Sequence, residues 1–166
     1  MFRRVKDFLD SWKYESESTI KVFKNLTDES LNRKVTEEGR SLGFIAWHIT
    51  QTIGEMMSKT GLIFQEFDEN ADMPKHAADI IAKYENLSGK LKNQIEKNWN
   101  DDMLNDDINM YGQLWKRANV LSSLITHQIH HRGQMTVLMR QAGLKVPGVY
   151  GPAKEEWAAF GMPEQK

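Results

Sequence analysis

The stretch QLWKRANVLSSLITHQIHHRGQMTVLMRQAG, residues 113–143, contains no proline, and its apolar residues recur every three or four positions. That spacing predicts a helix from about Gln113 to Ala142, with Gly143 as the C′ residue that ends it. The same stretch holds three of the chain's five histidines, His127, His130 and His131. Histidine is an ordinary surface residue, and it is also the side chain most often used to hold a transition metal.

Helical geometry separates the three. At about 100° per residue, with His127 at zero, His131 falls near 40°, Val120 and Leu138 near 20°, Leu124 near 60° and Met135 near 80°. The apolar stripe therefore contains His131 and has His127 at its shoulder. His130 falls near 300°, on the polar side with Ser123 and Gln141. Two imidazoles one turn apart on a buried face need partners for four ring nitrogens, or an ion to share. At this spacing both can reach one ion at roughly 2.1 Å. Gln128 follows His127, so the HExxH form and its general base are absent.

Working outward, the remaining chain reads the same way. Prolines occur only at 74, 147, 152 and 163. Val5, Phe8, Leu9, Trp12, Ile20, Phe23 and Leu26 mark a first helix, roughly 2–26. Leu42, Ile45, Ile49, Ile53 and Met56 mark a second, with Ser41 as N-cap and Gly61 as stop. Ala77, Ile80, Tyr84, Leu87, Leu91 and Ile95 mark a third, ending near Trp99. No stretch shows sustained strand-like alternation. The connections near 27–41, 61–76 and 100–112 are long enough for a crossover as well as for up-and-down packing. The expected architecture is all-α: a four-helix bundle in one domain, 1–166. Its tail carries turn signals at PG and GP, then a short helix around 153–160, where Trp157 and Phe160 fold it back onto the bundle.

Composition narrows the function. Charge is balanced, 22 Lys plus Arg against 23 Asp plus Glu, and no basic stripe suggests nucleic acid. The absence of cysteine excludes disulfides, thiolate metal sites and a cysteine nucleophile. The N-terminus lacks the apolar core of a secretory signal, and no apolar run is long enough for a membrane span. A cytoplasmic protein is expected.

A third metal ligand must come from another helix. His48, at the edge of the second helix's stripe, is the best candidate; His76, beside Pro74 and Lys75, reads as an exposed loop residue. Arg132 sits at the stripe's other edge, where it could pair with an acid of a neighbouring helix or of a dimer partner, or bind an anionic substrate group; the structural role is the expected one. Gln134 could hold a ligand ring by a hydrogen bond, and Gly133 could allow a neighbouring helix to pack closely. Tyr150 and Trp157 read as packing residues that could line the site's mouth. Glu55, two turns beyond His48, reads as a rim carboxylate.

At this point the residues support a family resemblance. HQIHHRGQM (127–135) fits the pattern H-x3-H-R-G-Q, LMRQAGLKVPGVYG (138–151) continues it, and LGFIAWHI (42–49) supplies the upstream histidine. The chain resembles the DinB/YfiT-like superfamily over nearly its whole length. The resemblance implies an up-down-down-up four-helix bundle and a divalent ion, zinc or nickel, on His48, His127 and His131. It also implies a homodimer. Characterised relatives of that kind include S-transferases using bacillithiol, mycothiol or glutathione, and a maleylpyruvate isomerase.

Three neutral imidazoles would leave a position open, as catalytic zinc sites do. A thiol cosubstrate could be activated there for attack on a small electrophile, or a water for hydrolysis. A non-enzymatic, stress-related dimer with a structural ion is the remaining alternative.

Overall fold

The computed structural model describes residues 1–163; the last three residues of the expected 1–166 domain lie outside them. Its main elements are α1 (Val5–Phe23), α2 (Leu42–Ser58), α3 (Ala77–Asn98) and α4 (Arg117–Gln141). A two-stranded antiparallel hairpin, β1 (Asp107–Met110) and β2 (Gln113–Lys116), precedes α4.

Local chemistry sets the helix ends. The Ser41 hydroxyl accepts from the Phe44 N–H at 3.1 Å, so Ser41 caps α2 as its position predicts. At the end of α4, Gly143 takes φ 73°. There the Leu144 N–H donates to the Met139 carbonyl and the Gly143 N–H to that of Arg140. This is the Schellman arrangement, which needs a left-handed residue at C′.

Contacts between helices fix the topology. The Val5 N–H donates to Asp101, just past α3, while the Ala77 N–H at the start of α3 donates to Asp28, just past α1. Thus α1 and α3 run antiparallel. Glu55 near the end of α2 meets Tyr111 before α4, and Ile45 near the start of α2 shares a cleft with Leu138 late in α4. Those two are antiparallel as well. Gln94 late in α3 bonds Ile63 just past α2, so α2 and α3 are parallel. The order is up-down-down-up, as the family resemblance implies. The one long crossover, residues 59–76, joins the parallel helices α2 and α3, and is among the connections that the sequence left open.

Between the helices, Phe8, Trp12, Phe23, Ile53, Met57, Tyr84, Leu87, Leu91, Met135 and Met139 are fully buried. Each large apolar side chain so placed contributes roughly 1.5–3 kcal/mol of transfer free energy. Tyr84, in the middle of this core, donates its hydroxyl to Gln128 Oε1 at 2.5 Å. Among the described residues no helix is long and apolar enough to cross a membrane.

The structure differs from expectation in three places. Residues 113–116 are strand rather than the first turn of α4, and Tyr111 and Gly112 form the two-residue turn of the hairpin. Four residues per strand are too few for alternation to register, although Ile108 and Met110 are buried and their neighbours exposed. The first helix is shorter at both ends than 2–26. In the tail, Phe160 is 64% exposed and Trp157 only half-buried, so aromatic packing does not hold it. Polar contacts do: Tyr14 to the Val149 carbonyl, Lys21 to that of Gly148, and Arg140 to Glu155.

Candidate metal centre

The antiparallel pair α2 and α4 brings His48, His127 and His131 to one point. One candidate ligand atom from each ring lies within 4.8 Å of the others. The His48 and His127 Nε2 atoms are 3.0 Å apart. Two imidazole lone pairs cannot face each other at that range without a proton or a cation between them. His131 is buried; His48 and His127 are half-buried.

The rings favour the neutral, ligating form. Burial is the first cause in each case. It lowers the His127 pKa to about 4, helped by the neighbouring rings, and it lowers those of His48 and His131. Gln134 sets the orientation of His131. Its Oε1 can only accept, so the His131 Nδ1–H donates to it at 2.7 Å. Nε2 of His131 is left as the lone-pair nitrogen. A hydrogen bond of this kind is the usual device for aiming a ligating histidine. The donor set therefore fits a divalent ion: three neutral nitrogens, one with its tautomer fixed.

The other two histidines stay out. His130 is exposed, and its Nε2 accepts from Gln134 Nε2 at 3.1 Å. His76 stands at the start of α3 with its Nδ1 against Asp28 at 2.8 Å, a pairing that raises its pKa.

Arg132 also turns away from the triad. Its guanidinium donates to Glu15 Oε2 at 2.6 Å, to the Glu15 carbonyl at 3.0 Å, to Thr19 Oγ1 at 3.1 Å and to the Tyr150 hydroxyl at 2.7 Å. The neighbouring-helix acid expected for it is thus Glu15 of α1. Tyr150 binds the same carboxylate and does not line the histidine cluster; burial and Glu15 push its pKa up to about 12. Gly133 is exposed, with nothing within 4 Å of where a Cβ would stand, so no helix of the same chain requires it.

A groove of about 520 Å³ opens beside His48, walled by Phe44, Trp47 and Phe67. Gly54 makes this wall possible. A Cβ there would meet the Phe67 ring at 2.4 Å. Glu55 also lines the groove, and it is engaged: its Oε1 accepts the Tyr111 hydroxyl at 2.8 Å. Sequence reasoning missed Phe44 and Arg40. Phe44 precedes His48 by four residues and so shares its side of α2, while Arg40 lies just before the Ser41 cap. Phe44 stacks on His48 at 6.2 Å between ring centres, and Arg40 lies 5.2 Å over Phe44.

An up-down-down-up bundle with three imidazoles converging between two of its helices defines a class: helical-bundle proteins with a candidate three-histidine centre. More particularly, the chain belongs to the DinB family, whose profile matches residues 1–166. It is 46% identical to YrdA of Bacillus subtilis (strain 168), an uncharacterized protein, over all of this chain and 99% of that one. A crystal structure of a DinB-like protein from Bacillus cereus ATCC 10987 is similar, with TM-score 0.87 and 41% identity, covering 90% of this chain and all of that one. The DinB-like protein YjoA of Bacillus subtilis shares the fold. Its TM-score is 0.69 at 16% identity, over 86% of this chain and 97% of that one.

Proposed function

We propose that His48, His127 and His131 ligate one divalent ion, zinc or nickel, and that the centre activates a low-molecular-weight thiol for transfer to a small electrophile. The observation that carries this reading is the convergence of three imidazoles, one buried and two half-buried, with no carboxylate among them. When bound, the ion would lower the pKa of a thiol at its open position and so supply a nucleophile at neutral pH. The protein's own residues do the rest. Gln134 holds His131 in the ligating tautomer, and Phe44, Trp47 and Phe67 offer an apolar wall for the electrophile beside His48.

Water activation is the weaker reading. It needs a nearby base, and Glu55 is occupied by Tyr111. In this reading the chain is one DinB-like domain spanning 1–166. It acts as a cytoplasmic homodimer on small molecules rather than on nucleic acid or membrane.

The test has two parts. Untagged protein is expected to carry about one equivalent of metal, lost in the His48→Ala/His127→Ala/His131→Ala variant. Monochlorobimane is expected to be consumed only when bacillithiol, mycothiol or glutathione is added. Equal metal in the triple variant would overturn the centre; thiol-independent turnover would overturn the transferase.

A further inference from the structure

A second cleft, of about 480 Å³, lies between the loop before α2 and the outer face of α4, and one of its lining residues, Gln134, bonds His131. Val35, Ile45 and Leu138 give it apolar walls, Gln134 connects it to His131, and Arg40 supplies its charge. No carboxylate lines it. Arg4 is in contact with Asp7, Arg117 with Asp106, Arg132 with Glu15 and Arg140 with Glu155, while Arg3 and Arg33, exposed as Arg40 is, show no such pair among the described residues. Arg40 has no ion-pair partner among the described residues, although Glu37 and Glu38 belong to its own loop. Its guanidinium is instead laid over the Phe44 face, and Phe44 is stacked on His48. The cation is thus held near the cluster by two aromatic contacts while its hydrogen-bonding edge stays free.

The two grooves differ in sign. The one beside Phe67 contains two carboxylates, Glu55 and Glu69, and one cation, Lys59; the one beside Val35 contains a lone arginine. A planar guanidinium held on an aromatic face matches a carboxylate in a two-bond fork. An exposed ion pair alone would be worth little. A ligand already anchored by its sulfur at the centre meets Arg40 at high effective concentration, which makes the same contact count.

We infer that Arg40 recognises a carboxylate on the thiol cosubstrate, whose body lies in the Val35–Leu138 cleft with its sulfur toward the three histidines. This rests on the metal-centre reading and adds the chemical class of the thiol. The other groove is left for the electrophile.

The probe is a set of ω-mercaptoalkanoates paired with ω-mercaptoalkanols of matching length, titrated into cobalt-substituted protein. Binding is read from the near-ultraviolet absorption that a thiolate gives with cobalt, without any turnover. At one or more lengths the acid is expected to bind about tenfold tighter than its alcohol, the factor that one charge-assisted hydrogen bond of roughly 1.4 kcal/mol supplies. Arg40→Gln is expected to abolish that ratio and Arg40→Lys to restore part of it. Lys59→Gln, which removes a charge from the other groove, is expected to leave it unchanged. A ratio that persists in Arg40→Gln, or falls equally in Lys59→Gln, would overturn the inference while leaving the centre intact. Failure of the wild type to take up cobalt would overturn the centre and the inference together.

Discussion

His131 and Arg132 are neighbours on α4, and both are buried, yet they belong to different kinds of site. Arg132 points to α1, where Glu15, Thr19 and Tyr150 satisfy its guanidinium from within the chain. His131 points to α2, where it meets two more imidazoles whose nitrogens face one another. A buried polar group with all its partners supplied by the fold is complete, and its contribution is to structure. A cluster of imidazoles whose ring nitrogens face each other needs a proton or a cation between them. The contrast, more than the identity of the residues, separates scaffold from candidate site.

The largest effect should come from the incomplete side. His131→Ala is expected to lose nearly all bound metal, while His130→Ala, one residue away and exposed, keeps it. Metal content of untagged protein, measured after exhaustive dialysis, decides; equal losses in both would dissolve the distinction. On the complete side the loss should appear as stability. Glu15→Gln leaves the Arg132 charge buried without its counter-charge and is expected to cost about 3–5 kcal/mol in urea unfolding. A Glu15→Leu/Arg132→Met double variant should recover most of that. If Glu15→Gln were neutral, the network would not be the structural element that the contrast requires.

How far these two sites could be read from sequence follows from how local their causes are. The helical stripe placed His127 and His131 inward and His130 outward because side-chain direction follows directly from helical phase. The Ser41 cap and the Gly143 stop were legible for the same reason. The hairpin was not. Its strands are four residues each, too short for the alternation in residues 107–110 to stand out, and residues 113–116 have none, so only their pairing reveals the hairpin. Glu15 was equally hidden. On α1 it reads as one more polar residue, and only the packing of α1 against α4, 117 positions away in sequence, reveals it as the partner of Arg132.

Gln134 connects the two kinds of site, since it is a polar residue completed by the very histidine it aims. Gln134→Ala is expected to weaken metal binding by about 10–100-fold with little change in fold stability. Competition with a chromogenic chelator reads the first and thermal unfolding of the apo protein the second. A matching drop in stability would place Gln134 with the scaffold instead.

The incomplete site should also show itself in the pH dependence of the metal-free protein. Folding lowers the proton affinity of the three rings, from the ordinary value of 6.5 to about 4 for His127. Between those values the unfolded chain binds more protons than the folded one. Stability is therefore expected to fall as pH drops through that window and to be fully present above it. His127→Leu should flatten the slope measured by urea unfolding between pH 4 and pH 6.5. An unchanged slope would mean that the rings are as solvated when folded as when unfolded.

The smallest effect lies on the rim, where Tyr111 stands in the hairpin turn with φ 55°, followed by Gly112 with φ 83°. A two-residue turn with both φ positive matches the twist of the strands but favours Asn or Gly at its first position, not tyrosine. A side chain held left-handed costs roughly 1–2 kcal/mol. Here the residue is exposed; its hydroxyl bonds Glu55, and the Lys59 ammonium lies 5.3 Å over its ring. An exposed neutral-to-carboxylate bond returns only part of that strain. Tyr111→Asn is therefore expected to stabilise the protein by up to about 1 kcal/mol and to leave metal content untouched, as thermal unfolding with and without metal can show. If the variant were less stable, the Tyr111–Glu55 pair would outweigh its strained backbone, and the rim would have to be counted with the completed network around Arg132.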